Sequence, residues 1–158
     1  MRLFIIIVMF CSVLCYFGRA VAGHWGADTI ANDGASDFLG EIIQSSSTEP
    51  IRTALNSVST ARSYLDDEQS SRALAAAELA AAMVGYPSRM LPAPCKEWAT
   101  LHSKGADSSL IQAAIKAVER IAENSETRDL IQEGGERNLR EWQANIAGLR
   151  ARLIAGSK

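Results

Sequence analysis

Residues 73–83 read ALAAAELAAAM, a stretch with small or aliphatic side chains on every side and one carboxylate, Glu78, in its middle. Alanine is the strongest helix former, and a helix that is apolar all round has to be buried. A chain with such a segment needs other elements wrapped around it, and alanine lets their backbones approach closely. The pattern predicts a central helix that begins after Asp66 and Asp67 and runs to about Val84, where Gly85 and Pro87 stop it.

The flanking segments supply that wrapping. Ala35, Phe38, Leu39, Ile42 and Ile43 recur at i, i+3, i+4, i+7 and i+8, with Asn32 or Asp33 placed to cap the start. Pro50 suits the first turn of a second helix whose Ile51, Ala54, Leu55 and Val58 share a face, and Tyr64 and Leu65 close that hairpin. Beyond the central helix, Pro87, Pro92 and Pro94 mark an extended connection. Cys95, Trp98 and Leu101 suggest a short helix ending near Gly105.

Leu110, Ile111, Ala114, Ile115, Val118, Ile121 and Ala122 form the clearest amphipathic stripe, started by Asp107 or Ser108. Ser125 caps a further stretch through Ile131, and Gly134-Gly135 breaks it. The last helix sets Leu139, Trp142, Ile146, Leu149 and Leu153 on one side and Arg137, Arg140, Arg150 and Arg152 elsewhere. No alternating run supports a strand. The expectation is an all-α protein, a single compact antiparallel bundle of six or seven helices.

The bundle is expected to occupy residues 23–158, because residues 1–22 read as a cleaved signal peptide. Arg2 precedes an apolar run over residues 3–17, and Ala20-Val21-Ala22 fits a signal peptidase site. The run is short for a membrane span, which needs roughly 20 apolar residues. Of three cysteines, only Cys95 would remain in the mature chain, so no internal disulfide is expected despite an oxidising compartment. The formal net charge is −2, and loss of Arg2 and Arg19 makes it more negative. A mildly acidic, evenly mixed surface argues against a nucleic-acid partner.

Groups able to do chemistry are few. His24 and His102 are the only imidazoles and have no metal-binding spacing. No nucleophile elbow or phosphate-cradling glycine loop is present. Cys95 lies seven residues before His102, a helical spacing that could activate a thiol; a half-buried small residue beside Trp98 is the plainer reading. Glu78 cannot avoid the interior, and a buried charge needs a partner. Arg128, which opens the segment after the strongest amphipathic stripe, is the expected one. As a pocket carboxylate, Glu78 could be a general acid; as half of an interior ion pair, it would be structural.

The stretch GHWGADTIANDGASDF, residues 23–38, gathers the other candidates: Trp25, Asn32, Asp33 and Asp37. Trp25 is expected to plug the bundle, Asn32 and Asp33 to satisfy free amides, and Asp37 to pair with an arginine of another helix. Trp25-Gly26 followed by Asn32-Asp33-x-Ala35-x-Asp37-Phe38 resembles the opening of the bacterial domain of unknown function 4259 family. The likeness continues through Tyr64-Leu65, Ala75-Ala76-Ala77-Glu78, Leu91-Pro92, Trp98, Ser125-Glu126-x-Arg128-x-Leu130 and Trp142. By that resemblance Gly23 stands where members carry the glycine after their initiator Met. Asp28 and Ile30 depart from the glycine and aromatic usual there.

The expected function is non-enzymatic: an exported, periplasmic or secreted domain that binds another protein, as an immunity protein binds a toxin. It would contact the membrane only through the signal peptide and use no cofactor or metal. The alternative is an envelope enzyme or small-ligand binder that acts on cell-wall material through a carboxylate pocket.

Overall fold

Helix boundaries follow capping chemistry closely. In the computed structural model, which describes residues 27–157, the chain forms α1 (Asp33–Ile43), α2 (Glu49–Ser59), α3 (Asp67–Met83), α4 (Ala93–Leu101), α5 (Ser108–Glu123), α6 (Glu126–Glu133) and α7 (Glu136–Gly156). A short 3-10 turn, Ser103–Gly105, follows α4. No strand occurs among the described residues, and the fold is an all-α bundle. Trp25, His24 and the proposed signal peptide lie outside those residues.

The caps use the free amides that open every helix. Asn32 Oδ1 accepts from the Ala35 amide at 2.8 Å, Asp66 Oδ1 from Gln69 at 2.8 Å and Asp107 Oδ1 from Leu110 at 2.8 Å. Ser125 Oγ accepts from Arg128 at 3.1 Å. Between α3 and α4, and between α6 and α7, the chain turns at Gly85 and Gly135, whose φ of 91° and 103° would strain any other residue.

Helix α3 is the hub. It touches each of the other six helices, and from Ala73 to Met83 every residue is buried. Its seven alanines in that span present little bulk, so the bulky packing comes from the partners: Phe38 and Ile42 of α1, Leu55 of α2, Trp98 of α4, Leu110 and Ile121 of α5, Trp142 and Leu149 of α7. The Trp98 indole Nε1 donates to the Ser45 carbonyl at 2.7 Å, tying α4 to the exit of α1. At the opposite end, Leu65 and Ser125 form a parallel bridge, so α3 and α6 start side by side. There Glu126 accepts from the Asp67 amide at 3.0 Å, and Thr127 donates to the Asp67 carboxylate at 2.8 Å.

Leu101 departs from expectation. It is 82% exposed although its spacing with Trp98 suggested a packed face. The helix ends at Leu101 rather than near Gly105, and the His102 ring stacks on Trp98 at 4.0 Å.

Candidate functional site

Glu78 sits at the seam where α3, the segment before α1 and the end of α7 meet. Its side chain is 1% exposed, and three donors occupy its two oxygens. Thr29 Oγ1 donates to Oε1 at 2.7 Å, while Arg152 donates from NH2 to Oε1 and from NH1 to Oε2, both at 2.8 Å. Arg152 NH1 also reaches the Tyr86 carbonyl at 3.2 Å. This is the fork-to-fork geometry of a strong charge-assisted pair. Neither Glu78 nor Arg152 lines any of the described hollows.

The partner is therefore Arg152 and not Arg128. Helix α6 packs beside the first turn of α3, as its bonds to Asp67 require, and Glu78 lies eleven residues further along, roughly 16 Å at 1.5 Å per residue. Arg128 binds its neighbour Asp129 at 3.2 Å instead. The long α7 brings Arg152 back to the middle of α3, a pairing across 74 residues that local spacing does not reveal.

The remaining candidates fall on α1. Asn32 caps it, and Asp33 lies exposed in its first turn. Asp37 is exposed, and no ion pair among the described residues includes it; the arginine that reaches α1, Arg72, takes Glu41 at 2.9 Å and lies 4.8 Å over the Phe38 ring. Cys95 is 3% exposed, and its burial pushes the thiol up, opposite to what a nucleophile needs. The His102 ring is held by Trp98, through stacking and a 2.8 Å contact from Nδ1 to the Trp98 carbonyl, and forms no hydrogen bond with Cys95.

What sequence reading did not single out is a groove of about 370 Å³ between α1 and the proline-rich connection. Ile30, Leu39, Ile43, Met90, Pro92 and Pro94 line it, Cys95 closes its base, and Asp28 and Ser36 stand at its edge. Met90 is 66% and Ile43 42% exposed. Two signals for the groove exist in the sequence: a glycine, Gly40, inside an otherwise regular helix, and two prolines, Pro92 and Pro94, that open α4 on its facing wall. A second hollow, about 400 Å³, lies between α2 and α3, but its one cation, Arg72, is already engaged by Glu41 and Phe38.

Against known families, the model described as "Domain of unknown function (DUF4259)" matches residues 23–145. The chain belongs to this family. The match spans every element from the segment before α1 into α7, so both walls of the groove are part of the DUF4259 domain, as is Glu78; Arg152 lies beyond the matched residues. No curated protein matches the chain, and no solved structure does. No described helix is long and apolar enough to cross a membrane, and no group of three or more His, Cys, Asp or Glu among the described residues is placed to hold a metal ion.

Proposed function

We propose that this chain is an exported, non-catalytic protein-binding domain. It acts by occupying a surface of another protein, as an immunity protein occupies a toxin in the periplasm, and the groove beside α1 is its docking face. The observation that carries the reading is the groove itself: an apolar trough into which two of the exposed large apolar side chains, Met90 and Ile43, are gathered. Exposed apolar surface of this kind, rimmed by polar groups, is characteristic of interaction sites.

The alternative of a carboxylate-pocket enzyme draws no support from Glu78. Its oxygens are saturated by Thr29 and Arg152, and it lines none of the described hollows. A general acid needs a proton to give and a substrate within hydrogen-bond reach.

The test is photo-crosslinking in the organism of origin. A photoreactive residue at Met90 should give discrete adducts with one other protein, and the same residue at Gln143, exposed on α7, should give none. Equal adduct patterns from the two positions, or none from Met90, would remove the proposal. Recovery of the full-length chain with residues 1–22 intact and in the cytoplasm would remove the exported part of it.

A further inference from the structure

We infer that the groove takes an amphipathic helix of the partner, one whose apolar row is edged by lysines or arginines on the side that faces α1; this rests on the protein-binding reading above. Two independent observations lead there.

The first is Gly40. It stands inside α1, where glycine costs about 1 kcal/mol relative to alanine, and a side chain added there would meet nothing within 4 Å. Packing explains two other glycines of the bundle: Thr48 stands where a side chain on Gly105 would go and Val84 where one on Gly156 would; Gly148 of α7 is as open as Gly40 but lines none of the described hollows. Gly40 has no such neighbour inside the protein. It opens instead onto the groove and onto a shallower hollow along α1 that shares Ser36 and Gly40 with it. A bare backbone on an apolar wall is where another backbone can come close, which is the use that helix pairs make of small residues.

The second is charge. Asp33, Asp37 and Glu41 follow one another at i, i+4 and i+8 on α1, and Asp28 stands at the groove's edge. Only Glu41 has a basic partner among the described residues; Asp28, Asp33 and Asp37 have none. Arg89 and Lys96 adjoin the lining residues Met90 and Cys95 in sequence, and Lys96 Nζ donates to the Arg89 carbonyl at 3.2 Å. The charged residue that lines the groove is Asp28, and Asp37 and Glu41 line the adjoining hollow, so the groove's α1 side is acidic. A helix with a basic edge towards α1 complements it, and the opposite charge pattern is repelled, which is how surface charge confers specificity.

The experiment is selection of displayed helical peptides of about sixteen residues, some 24 Å long, on the mature chain. Groove-dependent sequences are those that Gly40→Leu fails to retain. Leucine is a better helix former than glycine and here meets open space, so this variant keeps the fold, checked by its unfolding midpoint. The enriched sequences should carry an apolar row flanked by at least two Lys or Arg three or four positions apart. Asp37→Lys should weaken a representative peptide by about tenfold, and added salt should weaken it further. Groove-dependent sequences that are acidic or uncharged would overturn the inference and leave the protein-binding reading standing. Enrichment with no dependence on Gly40 would overturn both. Dimerisation of the chain alone, abolished by Gly40→Leu, would make a second copy the occupant and overturn the inference.

Discussion

Arg152 and Glu78 meet through two hydrogen bonds of 2.8 Å across 74 residues, and Thr29 closes the same carboxylate from a third side at 2.7 Å. One helix end and the entering segment are thus fastened to the centre of α3 by a single side chain. Replacing only one partner strands a charge in the interior, which typically costs about 3–5 kcal/mol. Arg152→Met is therefore expected to lose about that much in urea unfolding. The double variant Glu78→Met with Arg152→Met should recover most of the loss, since apolar groups can replace a buried pair at little cost. A double variant as unstable as the single one would show that the pair does more than neutralise itself.

The capping residues were legible to within one position because their chemistry is local, a side-chain oxygen three residues before the amide it accepts from; the choice of Asn32 over Asp33 and of Asp107 over Ser108 came from the structure. Asn32, Asp66, Asp107 and Ser125 all act in this way. So was α3, because eleven consecutive positions without a polar face except Glu78 leave no alternative to burial. Long-range choices were not legible. Several arginines could have reached Glu78, and which one does depends on where α6 and α7 cross α3, which no periodicity encodes. The groove escaped for a similar reason: Ile43 carries the same spacing signal as Phe38, Leu39 and Ile42, yet those three are buried and Ile43 is 42% exposed.

Ser125 is fully buried, and its hydroxyl serves both ends of a junction, accepting from the Arg128 amide at 3.1 Å and donating to the Ile121 carbonyl at 2.8 Å. Ser125→Ala should cost about 1–2 kcal/mol, because it removes a cap and leaves a buried amide unsatisfied. Asn32→Ala, at a partly exposed cap where water can replace the side chain, should cost about 1 kcal/mol or less. Chemical denaturation of the two variants side by side checks the order.

Acid should loosen the start of α5 late. The Leu110 amide, the Ser109 hydroxyl and the Arg52 guanidinium together hold the Asp107 carboxyl at about 2, below its ordinary 3.8. A carboxyl depressed by folding contributes stability that is complete above 3.8 and is lost as pH falls through about 2. Asp67 works the other way: burial raises it, so the folded chain holds that proton more readily than the unfolded one. Stability measured against pH should therefore fall less steeply below pH 3.8 in Asp107→Asn than in the parent chain.

Tyr64 donates its phenol proton to Asp129 at 2.8 Å, and that hydrogen bond pushes its ionisation up to about 12 from 10.0. The contribution is present below pH 10.0 and disappears as pH rises through about 12. The difference between ultraviolet titrations of the parent and Tyr64→Phe should have its midpoint near the higher value. A midpoint at 10.0 would mean that the bond between the α3 approach and α6 does not persist in solution.

The groove beside α1, with Gly40 left bare, is proposed to receive another protein. The most direct measurement is the yield of Met90 photo-adducts from Gly40→Leu set beside Gly148→Leu, a second helical glycine that opens on free space but lines none of the described hollows. Both variants should be at least as stable as the parent, by up to about 1 kcal/mol, because leucine favours helix over glycine. Adducts should vanish in Gly40→Leu and persist in Gly148→Leu. Undiminished adducts in a folded Gly40→Leu chain would contradict that proposal.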